Sequence, residues 1–318
     1  MQMLNMKLLI IFLILVISSC STLDRAPLPL TSIEVRREDG SAIDFYLQPS
    51  SMNNRADTLV LYLQGSDCNS VKHDAFLQDH AKSAWPSADW LLIEKRGITA
   101  ELPHSSDAER PDCPGAYIQH DSPSQRVEDI QRVLEKILQK QSYRNVVVLG
   151  GSEGAVVAAL YAAEAQFLSA AVLMNGGGQN FIDDVRHNIR LTVPPGNLEK
   201  ELNDFNGFAT QILSGEPFDL EVSNHGYRWW KEMLTIDYQT VLSAIDIPTL
   251  IIQSGRDQSV SPAAVARMIE RLRADGKTHF DFVVYPDLDH GLMDSEGISM
   301  ADKVIGDVNP WLKANLSK

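Results

Sequence analysis

The sequence predicts an α/β protein with a mostly parallel central sheet, helices on both faces and a helical cap inserted late in the chain. Three observations carry this. Short apolar runs bounded by turn residues recur along the chain, as strands buried on both faces require. Segments of helical periodicity separate them, which is the alternation of a parallel sheet with its crossover helices. One long stretch, 175–247, lacks the strand pattern yet keeps helical pieces.

In chain order, 32–37 and 42–48 are alternating, β-prone segments around Glu38-Asp39-Gly40-Ser41. Asp-Gly between such runs is a hairpin signal, so two antiparallel strands are expected first. Segments 58–63 and 90–93 are apolar strands that end at Gln64-Gly65-Ser66 and Glu94-Lys95-Arg96-Gly97. Helical spacing marks 71–83 between them, and 124–140 follows as an amphipathic helix with Val127, Ile130, Val133, Leu134 and Ile137 on one face. Residues 145–149 are a strand, 155–165 an alanine-rich helix and 170–174 another strand. Within the late stretch 198–213 and 227–234 are helical, and an insertion of that length is expected to fold as a cap, at about 176–247, because long structureless loops are uncommon. Segments 248–253, 262–275 and 280–285 resume the strand-helix-strand cycle, and 300–316 closes the domain as a helix.

Charge narrows the function. With 28 Lys and Arg against 42 Asp and Glu, the formal net charge is −14. Binding a phosphate backbone by counterion release needs a basic face, so no nucleic-acid partner is expected.

The N-terminus reads as an address. Residues 8–17 are an unbroken run of ten apolar residues preceded by the single cation Lys7. A helix of that length spans roughly 15 Å, about half of a ~30 Å hydrocarbon core, which suits a signal peptide better than a membrane anchor. Ile17-Ser18-Ser19-Cys20 resembles the bacterial lipobox. That resemblance implies removal of residues 1–19, lipid attachment at Cys20, a tether over 20–31 and a domain over 32–318. The chain is then expected in a bacterial cell envelope, held to a membrane by its N-terminal lipid. Ser21 after the cysteine resembles the pattern that sorts such proteins to the outer membrane, facing the periplasm. In that oxidising compartment Cys68 and Cys113 are free to form a disulfide or to remain buried thiols.

The chemistry lies in Gly150-Gly151-Ser152-Glu153-Gly154, a G-x-S-x-G between an expected strand and an expected helix. This is the context of a nucleophile elbow, in which serine sits on a tight turn and small neighbours allow close backbone approach. Here the sequence resembles the α/β-hydrolase family over essentially all of the chain from about residue 32. That family takes its acid and then its histidine from the ends of later strands. Both positions are filled. Asp257 follows the strand ending in Gln253-Ser254-Gly255-Arg256, and His290 follows Tyr285-Pro286-Asp287-Leu288-Asp289. The resemblance therefore implies the α/β-hydrolase fold and a catalytic Ser152, Asp257 and His290, with Asp287 and Asp289 as rival acids. No metal or organic cofactor is implied, and His73 and His80 lack partners at metal-ligand spacing.

The same resemblance assigns the oxyanion hole to the N–H of Glu153 and one from the loop after the 58–63 strand. Ser66 is the expected second donor, with Asp67 as the alternative, because Gln64-Gly65 stands where the family usually carries His-Gly. Glu94-Lys95-Arg96-Gly97 resembles the family's Asp-x-Arg-Gly turn and is expected to be structural. In the cap, Trp229 and Trp230 form the densest aromatic patch, either as substrate-binding walls or as cap core. The function implied is a lipid-anchored serine hydrolase acting on a small or medium acyl substrate, with an ester preferred. A peptidase or amidase of the prolyl-oligopeptidase-like group is second, although too few residues precede Gly150 for that group's large propeller. A hydrolase-fold lipoprotein that binds without turnover is third. The oligomeric state is left open.

Overall fold

The computed structural model describes residues 33–50, 55–107 and 109–316; the expected leader, the tether and Cys20 lie outside them. Among the described residues the strands are β1 (Phe45–Gln48), β2 (Thr58–Leu63), β3 (Asp89–Ile93), β4 (Asn145–Gly151), β5 (Ala170–Met174), β6 (Thr249–Ser254) and β7 (Phe280–Tyr285). They form one sheet in the order β1-β3-β2-β4-β5-β6-β7. β1 is antiparallel to β3, and every other pairing is parallel.

Alternation along the strands divides the core between the two faces. Leu59, Leu61, Leu63, Val146 and Val148 pack with Ile130, Val133 and Leu134 of α3 (Pro123–Lys140) and with α4 (Glu153–Glu164). Val60, Tyr62, Val147 and Leu149 point the other way, toward Val304, Ile305 and Val308 of α10 (Ala301–Leu316). Burial on both faces explains why the middle strands are continuous apolar runs.

Two local expectations change. The opening hairpin is only a turn: Arg36 and Ala42 form an isolated bridge, Ile43 N–H donates to the Val35 carbonyl, and Gly40 takes φ 85° at the tip. β1 then pairs with β3, whose buried ladder gives Phe45–Gln48 more partners than a two-stranded ribbon does. The helix expected over 71–83 is broken into a 3₁₀ turn at Val71–His73, α1 (Ala75–Asp79) and a second turn at Ala81–Ala84. Asp74 breaks it, because its carboxylate accepts the Leu77 N–H as an N-cap and also the Tyr62 hydroxyl.

Between β5 and β6 stand four helices among the described residues: α5 (Phe181–Thr192), α6 (Leu198–Ser214), α7 (Tyr227–Thr235) and α8 (Tyr238–Ser243). α7 packs on α3 and on α2 (Gly115–His120), so this layer rests on the sheet's helices. α9 (Pro262–Ala274) crosses from β6 to β7. Cys68 and Cys113 form a disulfide, with Cα atoms 5.9 Å apart, that ties the loop after β2 to the segment before α2. No helix among the described residues is long and apolar enough to cross a membrane.

Candidate active site

Ser152 stands at the junction of β4 and α4 with φ 53° and ψ −128°, a conformation that L-residues rarely adopt. The glycines around it make the turn possible. A Cβ on Gly150 would run into the Gly154 carbonyl, and one on Gly154 into the Leu63 carbonyl of β2. Ser152 N–H donates to the Met174 carbonyl at 2.9 Å, which fixes the turn to the end of β5.

The loops after β6 and β7 bring the other two residues to it. His290 Nε2 lies 3.1 Å from Ser152 Oγ, and its Nδ1 lies 2.8 Å from Asp257 Oδ2. Asp257 is 2% exposed. Its Oδ1 accepts the N–H groups of Ser259 and Val260 at 2.8 and 2.9 Å, and Gln253 Nε2 donates to its Oδ2 at 3.2 Å. A carboxylate with all these donors is an acceptor only, so Nδ1 of His290 carries the proton and Nε2 is free to accept from Ser152. Neither rival acid takes this place. Asp289 Oδ1 accepts the N–H groups of Gly291 and Met293, and it is Asp257, not Asp287, whose carboxylate meets His290 Nδ1.

Three residues that the sequence reading left out hold this constellation. Asn175, at φ 49° after β5, donates from Nδ2 to the His290 carbonyl at 3.0 Å and to Ser254 Oγ, while its Oδ1 accepts Ser254 N–H. His187 of α5 donates from Nε2 to the Asp257 carbonyl at 3.1 Å. Asp184, one turn earlier, accepts the N–H groups of Gly178 and Ser261 at 2.8 and 3.0 Å. Burial, assisted by the nearby charge of Asp257, pushes the Asp184 carboxyl up to about 6.

Facing the elbow is the loop Gln64-Gly65-Ser66-Asp67. A Cβ on Gly65 would stand 3.3 Å from Ser152 Cβ and 3.8 Å from its Oγ, so the loop backbone lies against the serine. Glu153 opens α4, where first-turn N–H groups have no carbonyl within the helix to bond. Its carboxylate points into the protein, accepting from Arg126 Nη1 of α3 at 2.8 Å and from Trp229 Nε1 of α7 at 3.1 Å. Burial opposes the Glu153 charge, but Arg126 and Lys95 hold it below the ordinary range. Asp121 is the opposite case. Both its oxygens are buried without a hydrogen-bond partner among the described residues, and burial, with the Glu153 charge nearby, pushes it up to about 7.

Trp229 and Trp230 are 4% and 7% exposed. Trp230 packs edge-on against Phe208 of α6 and donates its indole N–H to the Val222 carbonyl. Trp229 packs edge-on against Phe181 and stacks on the His225 ring, 3.7 Å between centroids and 9° from parallel. Both indoles are thus engaged in the cap, and Trp229 also reaches the elbow through Glu153. Arg96 pairs with Asp39 at 2.6 Å and braces the Gly40 turn.

The architecture recurs in solved hydrolases. Est1E from Butyrivibrio proteoclasticus, with ferulic acid bound, superposes with a TM-score of 0.62 at 14% identity over 90% of this chain and 100% of its own. The Pyrococcus furiosus esterase Pf2001 gives 0.57 at 14% identity over 89% of this chain and 90% of its own. The Pyrococcus horikoshii acylaminoacyl peptidase gives 0.59 at 11% identity over 90% of this chain but 41% of its own. At these identities the likeness is one of fold. No curated protein matches the chain significantly. The model of the α/β hydrolase family matches residues 52–304, which span the sheet from β2 to β7, the elbow, the cap and the turns bearing Asp257 and His290. With that span and this sheet order, the chain belongs to the α/β hydrolase family.

Proposed function

We propose that this hydrolase is a serine hydrolase that cleaves a small or medium carboxylic ester through an acyl-enzyme on Ser152. The observation that carries the reading is the unbroken chain Asp257 Oδ2, His290, Ser152 Oγ, with contacts of 2.8 and 3.1 Å. A serine hydroxyl is a weak nucleophile near neutrality, so its proton must leave as it attacks. His290 Nε2 takes that proton while Oγ bonds to the acyl carbon and the carbonyl π electrons move onto oxygen. The N–H groups of Glu153 and Ser66 receive the oxyanion, each contributing roughly 3 kcal/mol to the transition state. His290 then protonates the leaving alkoxide, and the second half repeats the cycle with water as the nucleophile. Asp257 holds the imidazole in the required tautomer and stabilises its cation.

The esterase neighbours named above support the ester over the amide. The acylaminoacyl peptidase neighbour keeps an amidase or peptidase as the second reading. A fluorophosphonate probe tests the nucleophile: the wild type is expected to label and Ser152→Ala is not. Equal labelling of both would refute it, and no labelling of either would favour the ligand-binding reading. A panel of p-nitrophenyl esters and aminoacyl anilides on the same preparations then separates esterase from peptidase.

The lipobox-like Ile17-Ser18-Ser19-Cys20 supports a lipid anchor on this enzyme. Attachment of acyl chains at Cys20 would hold it at a membrane, since each buried CH₂ contributes about 0.8 kcal/mol. Fractionation of expressing bacteria is expected to find the wild type with membranes and Cys20→Ala released; equal retention of both would remove the anchor from the proposal.

A further inference from the structure

The loop that faces Ser152 is held from behind at every carbonyl. Arg126 Nη2 donates to the Gln64 carbonyl at 3.0 Å. Lys95 Nζ donates to the carbonyls of Gly65 and Asp67, both at 2.5 Å. His225 Nε2 lies 3.1 Å from the Ser66 carbonyl, with its Nδ1 3.2 Å from the Tyr117 hydroxyl. Burial pushes His225 down to about 4, so its ring is neutral, donating from Nε2 to Ser66 and accepting from Tyr117 at Nδ1. Four consecutive carbonyls thus meet side chains from three separate parts of the chain.

The peptide bond turns this grip into direction. Across a trans peptide the C=O of one residue and the N–H of the next point opposite ways. A Gly65 carbonyl fixed on Lys95 therefore aims the Ser66 N–H to the other side of the loop, and a Ser66 carbonyl fixed on His225 does the same for the Asp67 N–H. Lys95 is the centre of the arrangement, because one ammonium holds two of the four carbonyls. It is 3% exposed, its Nζ lies 4.0 Å from Asp67 Oδ1, and it stands 5.7 Å from the centroid of the Tyr117 ring. A buried lysine needs such partners to offset its lost hydration, so its place is strongly determined.

We propose that Lys95 is a positioning residue of the oxyanion hole, aiming the N–H of Ser66 at the developing oxyanion through its grip on the Gly65 and Asp67 carbonyls. The assignment rests on Ser152 being the nucleophile. Lys95→Met keeps the length of the side chain and removes the donors. It is expected to lower kcat for p-nitrophenyl butyrate about 10²-fold with KM changed less than about three-fold, the signature of a contact that matters only in the transition state. Affinity for a trifluoromethyl ketone, whose tetrahedral adduct places an oxyanion in the hole, is expected to fall by a similar factor, while affinity for the matching alcohol, which has no oxyanion, stays within about three-fold. Lys95→Arg, which retains the charge and the donors, is expected to recover most of kcat. A folded Lys95→Met with wild-type kcat and ketone affinity would overturn the proposal. So would equal weakening of ketone and alcohol, which marks a general loss of structure. Where the methionine variant melts below the assay temperature, Lys95→Gln, which keeps an N–H for one carbonyl, is measured by the same criteria. Absence of fluorophosphonate labelling in the wild type would instead defeat the serine-hydrolase reading itself, whatever Lys95 does.

Discussion

Asp257→Asn is expected to lower kcat by about 10⁴-fold, with KM little changed and the fold intact. The reason is the set of donors around the carboxylate. Oδ1 accepts two backbone N–H groups, from Ser259 and Val260. An asparagine must keep its oxygen there, since turning the amide round would set its NH₂ against both donors. That choice places Nδ2 where Oδ2 meets His290 Nδ1. An N–H donor there requires Nδ1 to be an acceptor, which moves the imidazole proton to Nε2. Nε2 then presents a hydrogen to Ser152 Oγ instead of a lone pair, and the general base is lost while nearly every heavy atom keeps its place. Stopped assays with a p-nitrophenyl ester, together with the rate of fluorophosphonate labelling, measure the effect. A loss below about ten-fold would mean that Asp257 does not set the tautomer, and Asp289→Asn would then be the next variant to compare.

Those three residues were legible because each is a local event. An apolar strand followed by a tight turn can be recognised within ten residues, and the order serine, acid, histidine joins three such events without knowledge of their separation in space. The groups that hold the site are not local. Lys95 meets Gly65, Arg126 meets Glu153, and His225 meets Ser66 across 30, 27 and 159 residues. Arg126 did leave a trace: it falls four residues before Ile130 and seven before Val133, on the buried stripe of α3, where a charge without a buried partner would be costly. The helix over 71–83 failed for a different reason. Its periodicity was sound, but a side-chain cap at Asp74 stopped one helical turn and started another, and capping competes with periodicity over so short a span. α5 was missed because its amphipathic pattern sits in a stretch recognised mainly for lacking strands.

The elbow carries a second liability, which Arg126→Met exposes. Arg126 and Glu153 are both buried, and their contact of 2.8 Å is the ion pair directly behind the proposed nucleophile. Replacing only the cation leaves Glu153 with Trp229 Nε1 and without its principal countercharge, while the Gln64 carbonyl loses its donor. Breaking a buried pair from one side typically costs about 3–5 kcal/mol, which urea denaturation is expected to detect. The loss has a pH signature. Asp121 is buried nearby and already pushed up to about 7 by burial and by the Glu153 charge. A carboxyl whose folded pKa lies above its unfolded value favours the folded state in its protonated form, and this advantage fades as pH rises through the folded pKa. Without Arg126 both Asp121 and Glu153 shift upward, so the variant is expected to lose more stability relative to wild type at pH 8 than at pH 5. Glu153→Gln in the same chain removes the stranded charge while its carbonyl oxygen still accepts from Trp229. The double variant is therefore expected to be more stable at pH 8 than Arg126→Met alone, which additivity of two damaging changes does not allow. If the double variant instead loses the sum of the two single effects, Arg126 stabilises the elbow through the Gln64 carbonyl and its own packing, and the Glu153 charge is not what it compensates.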